Sequence, residues 1–154
     1  MANSAATPSE DSVTNPVWAA ALSKAAERGV PPRGGQELPL VDAAVLQDLA
    51  EELGQPDMAW NFANDYAAMW EPRQRFLRDS LGREDRAAAL DAVISLKVSS
   101  AMVGGLRLAG LAEALESNLR KGDLRDGASV MAMISLQGHA TVKELRLSYI
   151  RKTR

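Results

Sequence analysis

The chain has 154 residues, with 18 Lys and Arg against 20 Asp and Glu and a formal net charge of −2. That length suits one domain with a single sizeable core, and the charge balance supplies no global basic field of the kind that nucleic-acid binding uses. The lack of cysteine excludes disulfides and thiolate metal sites, while few aromatics and many Ala and Leu favour closely packed helices.

Residues 1–37 read as a flexible N-terminal extension. The first residues, Met1 to Asp11, lack the charged start and apolar stretch of a secretory signal. No apolar run approaches the ~20 residues that span a bilayer, so a cytoplasmic location is expected. A short helix is expected from Asn15, with Pro16 at its first position and Val17, Trp18, Ala21, Leu22 and Ala25 on one face. Pro31-Pro32 and Gly34-Gly35 then break the chain.

Helical periodicity governs the rest. Asp42 caps a helix carrying Val45, Leu46, Leu49 and Leu53 up to Gly54. A second runs from about Pro56 to Leu81, with Met58, Phe62, Tyr66, Met69, Phe76 and Leu77 expected inward; Pro72 is expected to kink or interrupt it near Trp70 and Glu71. A third covers about residues 83–103 with Ala89, Val93, Leu96, Ser100 and Val103 inward, and Gly104-Gly105 ends it with a positive φ at one position. A fourth, Leu106 to Lys121, turns Leu108, Leu111, Leu115 and Leu119 inward. The last runs from about Asp126 to Tyr149 with Val130, Met133, Ile134, Val142, Leu145 and Tyr149, and Gly138 in its interior costs about 1 kcal/mol relative to Ala. No strand-like alternation competes, and short loops make neighbours antiparallel. The expected fold is all-α, an up-and-down four-helix bundle over residues 38–150 with an extra short N-terminal helix and a basic tail at 151–154.

Residues 90–116 carry a more specific pattern. Leu96-Lys97, the Gly104-Gly105 break and the helix from Leu106-Arg107-Leu108 to Leu115-Glu116 resemble the core motif of histidine-containing phosphotransfer (HPt) domains. In that motif His-x-Leu-Lys-Gly lies on one helix, followed by a Gly break and a second helix. Leu40 to Leu49 is similar to the family's first bundle helix, and Phe62-Ala63-Asn64-Asp65-Tyr66 to its F-x-x-D/E-aromatic stretch, so the likeness covers about residues 38–122. It implies an HPt-like four-helix bundle of a two-component phosphorelay, whose partner is a response-regulator receiver domain or a histidine kinase. It also implies that Lys97 would sit beside a phosphorylated imidazole and offset its charge.

Two positions depart from the motif: Ile94 stands where the phosphoacceptor His is expected, and Val98 where the following Gly is expected. Accepting a phosphoryl group requires a nucleophile with a lone pair available near neutral pH, which imidazole supplies and isoleucine does not. Ser95 points about a third of a turn away and would need an activating base. No catalytic residue, enzymatic activity or cofactor is therefore expected. With Val93, Leu96, Ser100 and Val103 inward, Ile94, Lys97, Val98 and Ala101 are expected on the solvent-facing side. There Ile94 and Val98 would form an apolar patch beside Lys97, with Arg107 a weaker candidate at its rim.

The expected role is a degenerate HPt-like binding module that docks on a receiver or kinase domain without accepting phosphate. The alternatives are a genuine phosphotransfer protein whose acceptor His is replaced at Ile94, a core role for Ile94 in a helix of shifted phase, and a bundle that dimerises through Ile94 and Val98. A monomer or weak dimer is expected, with neither nucleic acid nor membrane as partner. His139, the single histidine, has no Leu-Lys pattern or base partner beside it, so it reads as a surface residue and no metal site is expected. Trp60 and Trp70 read as packing residues. The basic C-terminus, from Lys143 through Arg154, reads as cations complementing a helix dipole rather than a nucleic-acid or membrane contact.

Overall fold

A computed structural model describes residues 38–124 and 127–151. The expected helix around Trp18 and the tail at 152–154 lie outside the described residues. Among these residues five α-helices follow one another: α1 (Ala43–Leu53), α2 (Pro56–Gly82), α3 (Arg86–Met102), α4 (Leu106–Arg120) and α5 (Gly127–Leu145), the last running on into a π-helical turn, Arg146–Ile150. The capping chemistry read from the sequence sets the first boundary. Asp42 accepts a hydrogen bond from the Ala44 amide, and Gly54 closes α1 in the left-handed region at φ 67°. At α3, Asp85 caps in the same way through the Ala88 amide.

The four long helices form an all-α up-and-down bundle. Helix α2 packs on α3 and α5, α3 on α4, and α4 on α5, so α3 and α5 sit diagonally; α1 lies against α2 near one end. The core is the expected stripe of α3 (Ala89, Val93, Leu96, Ser100, Val103) facing Leu108, Leu111, Leu115 and Leu119 of α4, with Ile134, Val142 and Leu145 of α5. Small residues let α3 and α4 approach closely where they join. Gly104 has φ +82°, and a Cβ there would strike the Asp42 carbonyl, so both backbone conformation and space require glycine. Asp42 in turn donates its amide to the Gly104 carbonyl at 2.7 Å, tying the start of α1 to the α3–α4 corner.

Helix α2 differs from expectation in two ways. It runs unbroken through Pro72. Pro72 is exposed, as is Ala68, whose carbonyl loses its helical donor, so the gap in the hydrogen-bond ladder falls on the solvent side of the helix. Its inward stripe is also shifted: Ala59, Ala63, Tyr66, Ala67, Trp70, Gln74 and Leu77 are buried, whereas Met58, Met69 and Phe76 are exposed and Phe62 is half-buried. Size misled the sequence reading here, because the buried side of α2 carries the small residues Ala59, Ala63 and Ala67 while larger apolar residues face out. Trp70 explains Gly138: its indole lies where a Cβ of residue 138 would stand, so the interior glycine is a seat for a buried aromatic. On α5, Met133 is likewise exposed rather than inward.

Candidate protein-docking face

Helix α3 places the motif positions on its outer side, between α2 and α4. Ile94 and Val98 lie one turn apart, half-buried and packed against the core cluster while keeping part of their surface open. Lys97 is not free in solvent. Its Nζ lies 2.7 Å from Glu116 Oε1 on α4, and Arg120 approaches the other carboxylate oxygen at 2.8 Å. Burial pushes the Glu116 carboxyl up, but the hydrogen bonds and charges of Lys97 and Arg120 outweigh it and hold the group below the usual carboxylate range. The cation expected to meet a partner is thus already neutralised within the bundle.

Two further expected contacts are corrected. Ala101 is buried at 5% exposure, because the last turn of α3 closes onto the α3–α4 corner. Arg107 is half-buried; its Nε donates to the Leu38 carbonyl at 3.0 Å and its backbone amide to the Pro39 carbonyl at 3.1 Å. It latches the start of the bundle rather than forming a rim. The open face is therefore narrower than expected towards α4.

Towards α2 it is wider. Met69 and Phe76, 46% and 50% exposed, stand with Pro72 on the outer side of α2 and line a shallow groove of about 260 Å³ against Ala92 and Ser95 of α3. Ser95 is one residue round the helix from Ile94, so the two apolar areas adjoin. Reading Met69 and Phe76 as inward hid them. The signal was their own 69–72–76 spacing, a second stripe beside the alanine stripe.

Chemically this face is apolar surface suited to contact and offers no nucleophile at position 94. Two of the nearby hydroxyls are engaged within the fold: Arg73 donates to Ser99 Oγ at 2.6 Å, Ser99 donates to the Ser95 carbonyl, and Ser100 pairs with Tyr66 Oη at 2.6 Å, while the Ser95 side chain is exposed. Burial pushes the Tyr66 hydroxyl up to about 12, so it stays protonated. Among the described residues, no carboxylate or imidazole lines the groove beside Ser95. His139 lies on α5, away from the motif, 59% exposed and 3.8 Å from Glu71. Among the described residues no group of three His, Cys, Asp or Glu is placed to hold a metal ion, and no helix is long and apolar enough to cross a membrane.

The order of the helices, the glycine corner between α3 and α4 and the position of the Leu96-Lys97 pair define an HPt-like helical bundle. The chain is similar to the crystal structure of histidine-containing phosphotransfer protein B (HptB) from Pseudomonas aeruginosa, with a TM-score of 0.63 and 25% sequence identity over 72% of this chain and 97% of that one. No protein-family model and no curated protein matches the sequence significantly.

Proposed function

We propose that the chain is an HPt-like docking protein of a two-component phosphorelay, which binds a receiver or histidine-kinase domain through the outer face of α3 and α2 without accepting phosphate. One observation supports this reading: the HPt-like fold coincides with the motif resemblance, in which the Leu96-Lys97 turn and the glycine corner are kept while Ile94 stands where the phosphoacceptor His is expected. Isoleucine has no lone pair, so chemistry at that position is lost. Apolar surface is gained, and fully burying one such side chain against a partner contributes about 1.5–3 kcal/mol. Such a protein competes with a true transfer protein or holds its partner in place.

Binding to purified receiver and kinase domains, measured by calorimetry, tests the reading. Ile94→Asp is expected to weaken binding at least tenfold. Because Ile94 is half-buried, Phe76→Ser on the exposed side of α2 serves as a second probe that leaves the core intact. Unchanged affinity in both variants, or no binding by the wild-type chain to any receiver or kinase domain of its own cell, rejects the proposal.

A further inference from the structure

We infer that the groove between α2 and α5 is a second docking site, shaped for an acidic amphipathic helix of a partner protein. The groove encloses about 390 Å³. Its floor is apolar (Ala67, Val142 and half-exposed Leu147), and its rim carries Lys143, Arg146 and Arg151 against one carboxylate, Glu71. Among the described residues, those three cations make no ion pair or hydrogen bond through their side chains. A chain of net charge −2 thus gathers unpaired positive charge along one apolar trough.

The local backbone produces this grouping. In an α-helix, residues five apart point about 140° away from each other. The π-helical turn over Arg146–Ile150 changes that: Arg151 donates its amide to the Arg146 carbonyl, an i to i+5 bond that stacks the two arginines on one side. The Trp60 indole fastens the turn by donating to the Ile150 carbonyl at 2.9 Å, while Ile150 itself is buried. π-Turns of this kind recur at functional sites, and this one gives the groove its second guanidinium.

The lining selects among anionic ligands. A bare phosphate has no use for Val142 and Leu147. A nucleic-acid strand lacks a stacking platform, since Trp70 is 97% covered and its ring is seated over Gly138. A lipid surface is flat, and a trough between two helices is concave. A helix with aliphatic residues on one side and carboxylates flanking them satisfies both floor and rim. From His139 to Arg151 the site extends about 18 Å, the length of a helix of roughly twelve residues.

The test titrates the isotopically labelled full chain with a panel of twelve-residue peptides of Leu, Ala and Glu that differ in the register of the acidic face, with all-Gln counterparts. Expected are amide shifts at residues 67–71 and 139–151 and a shift of the Trp70 indole, with residues 91–98 unmoved. The Gln counterparts should bind at least tenfold more weakly, and 0.5 M salt should weaken the acidic peptides several-fold. Arg146→Glu with Arg151→Glu, both exposed, should abolish the shifts while leaving the circular dichroism unchanged. Equal binding by that double variant or by the Gln peptides overturns the proposal, as does failure of every acidic peptide. Saturation by millimolar inorganic phosphate in place of the peptides, or capture by anionic vesicles without peptide binding, also overturns it in favour of a simple anion or membrane site.

Discussion

At position 97 the ammonium stands 2.7 Å from Glu116 Oε1, and Glu116 is itself only 8% exposed. A carboxylate so placed is stable because both of its oxygens are met by cations. Lys97→Met leaves Arg120 as the sole counter-ion and is expected to cost about 1–2 kcal/mol in urea unfolding at pH 7, a charge-assisted hydrogen bond being worth about that much. The same pair gives a pH signature. The folded-state pKa of Glu116 lies below its ordinary value of 4.5, so its contribution is complete above that value and is lost as pH falls through the lower folded value. The stability gap between wild type and Glu116→Gln should therefore be constant from pH 7 to about 5 and shrink below about 4.5; a gap that widens on acidification would contradict this assignment. Lys97 was legible in the sequence from the motif, but its partner was not. Glu116 is nineteen residues away on another helix, and only the α3–α4 packing brings the two together.

At the scale of elements, the helices and their order were legible because caps, glycine breaks and apolar spacing agree. What was misread was the rotation of α2, where the large residues Met58, Met69 and Phe76 face out and alanines face in. Periodicity weighted by size favours the wrong stripe when two helices pack closely on small side chains. Pro72 and Gly138, the two residues least suited to a helix interior, separate the consequences. Pro72 is exposed at the edge of the α2–α3 groove, so Pro72→Ala gives up little packing while it restores a backbone donor, and is expected to stabilise by about 1–2 kcal/mol. Gly138→Ala gains about 1 kcal/mol of helix propensity but drives a methyl into the buried Trp70 ring. Overpacking costs of about 1–3 kcal/mol dominate, and a net loss of stability is expected. Thermal unfolding of both variants should move in opposite directions, although propensity alone ranks both changes as improvements.

For the molecule as a whole, the bundle is an HPt-like scaffold, and the proposed docking role holds that the motif's structural and chemical parts have separated. Leu96 and the Gly104 corner serve packing and were recognisable in the sequence for that reason; by the motif resemblance, Ile94 and Val98 stand at the positions expected to decide chemistry and access. Access is the less obvious of the two. Val98 sits one turn from Ile94 and is half-buried, at the position where the motif resemblance expects a glycine that leaves room for a partner's active site. Restoring the nucleophile alone is therefore expected to be insufficient. In Ile94→His, an imidazole nitrogen is available, but the branched side chain of Val98 keeps it from in-line approach to an aspartyl phosphate. In Ile94→His with Val98→Gly, the nitrogen–phosphorus bond can form as the acyl-phosphate oxygen leaves as carboxylate. Incubation with a phosphorylated receiver domain that binds the wild-type chain should label the double variant and leave the single variant and the wild type unlabelled. The glycine weakens α3 by about 1 kcal/mol, so retained helicity is checked alongside. Equal labelling of the single variant would show that Val98 does not control access, and a folded double variant that binds the receiver but takes no label would show that more than these two positions has been lost from the site.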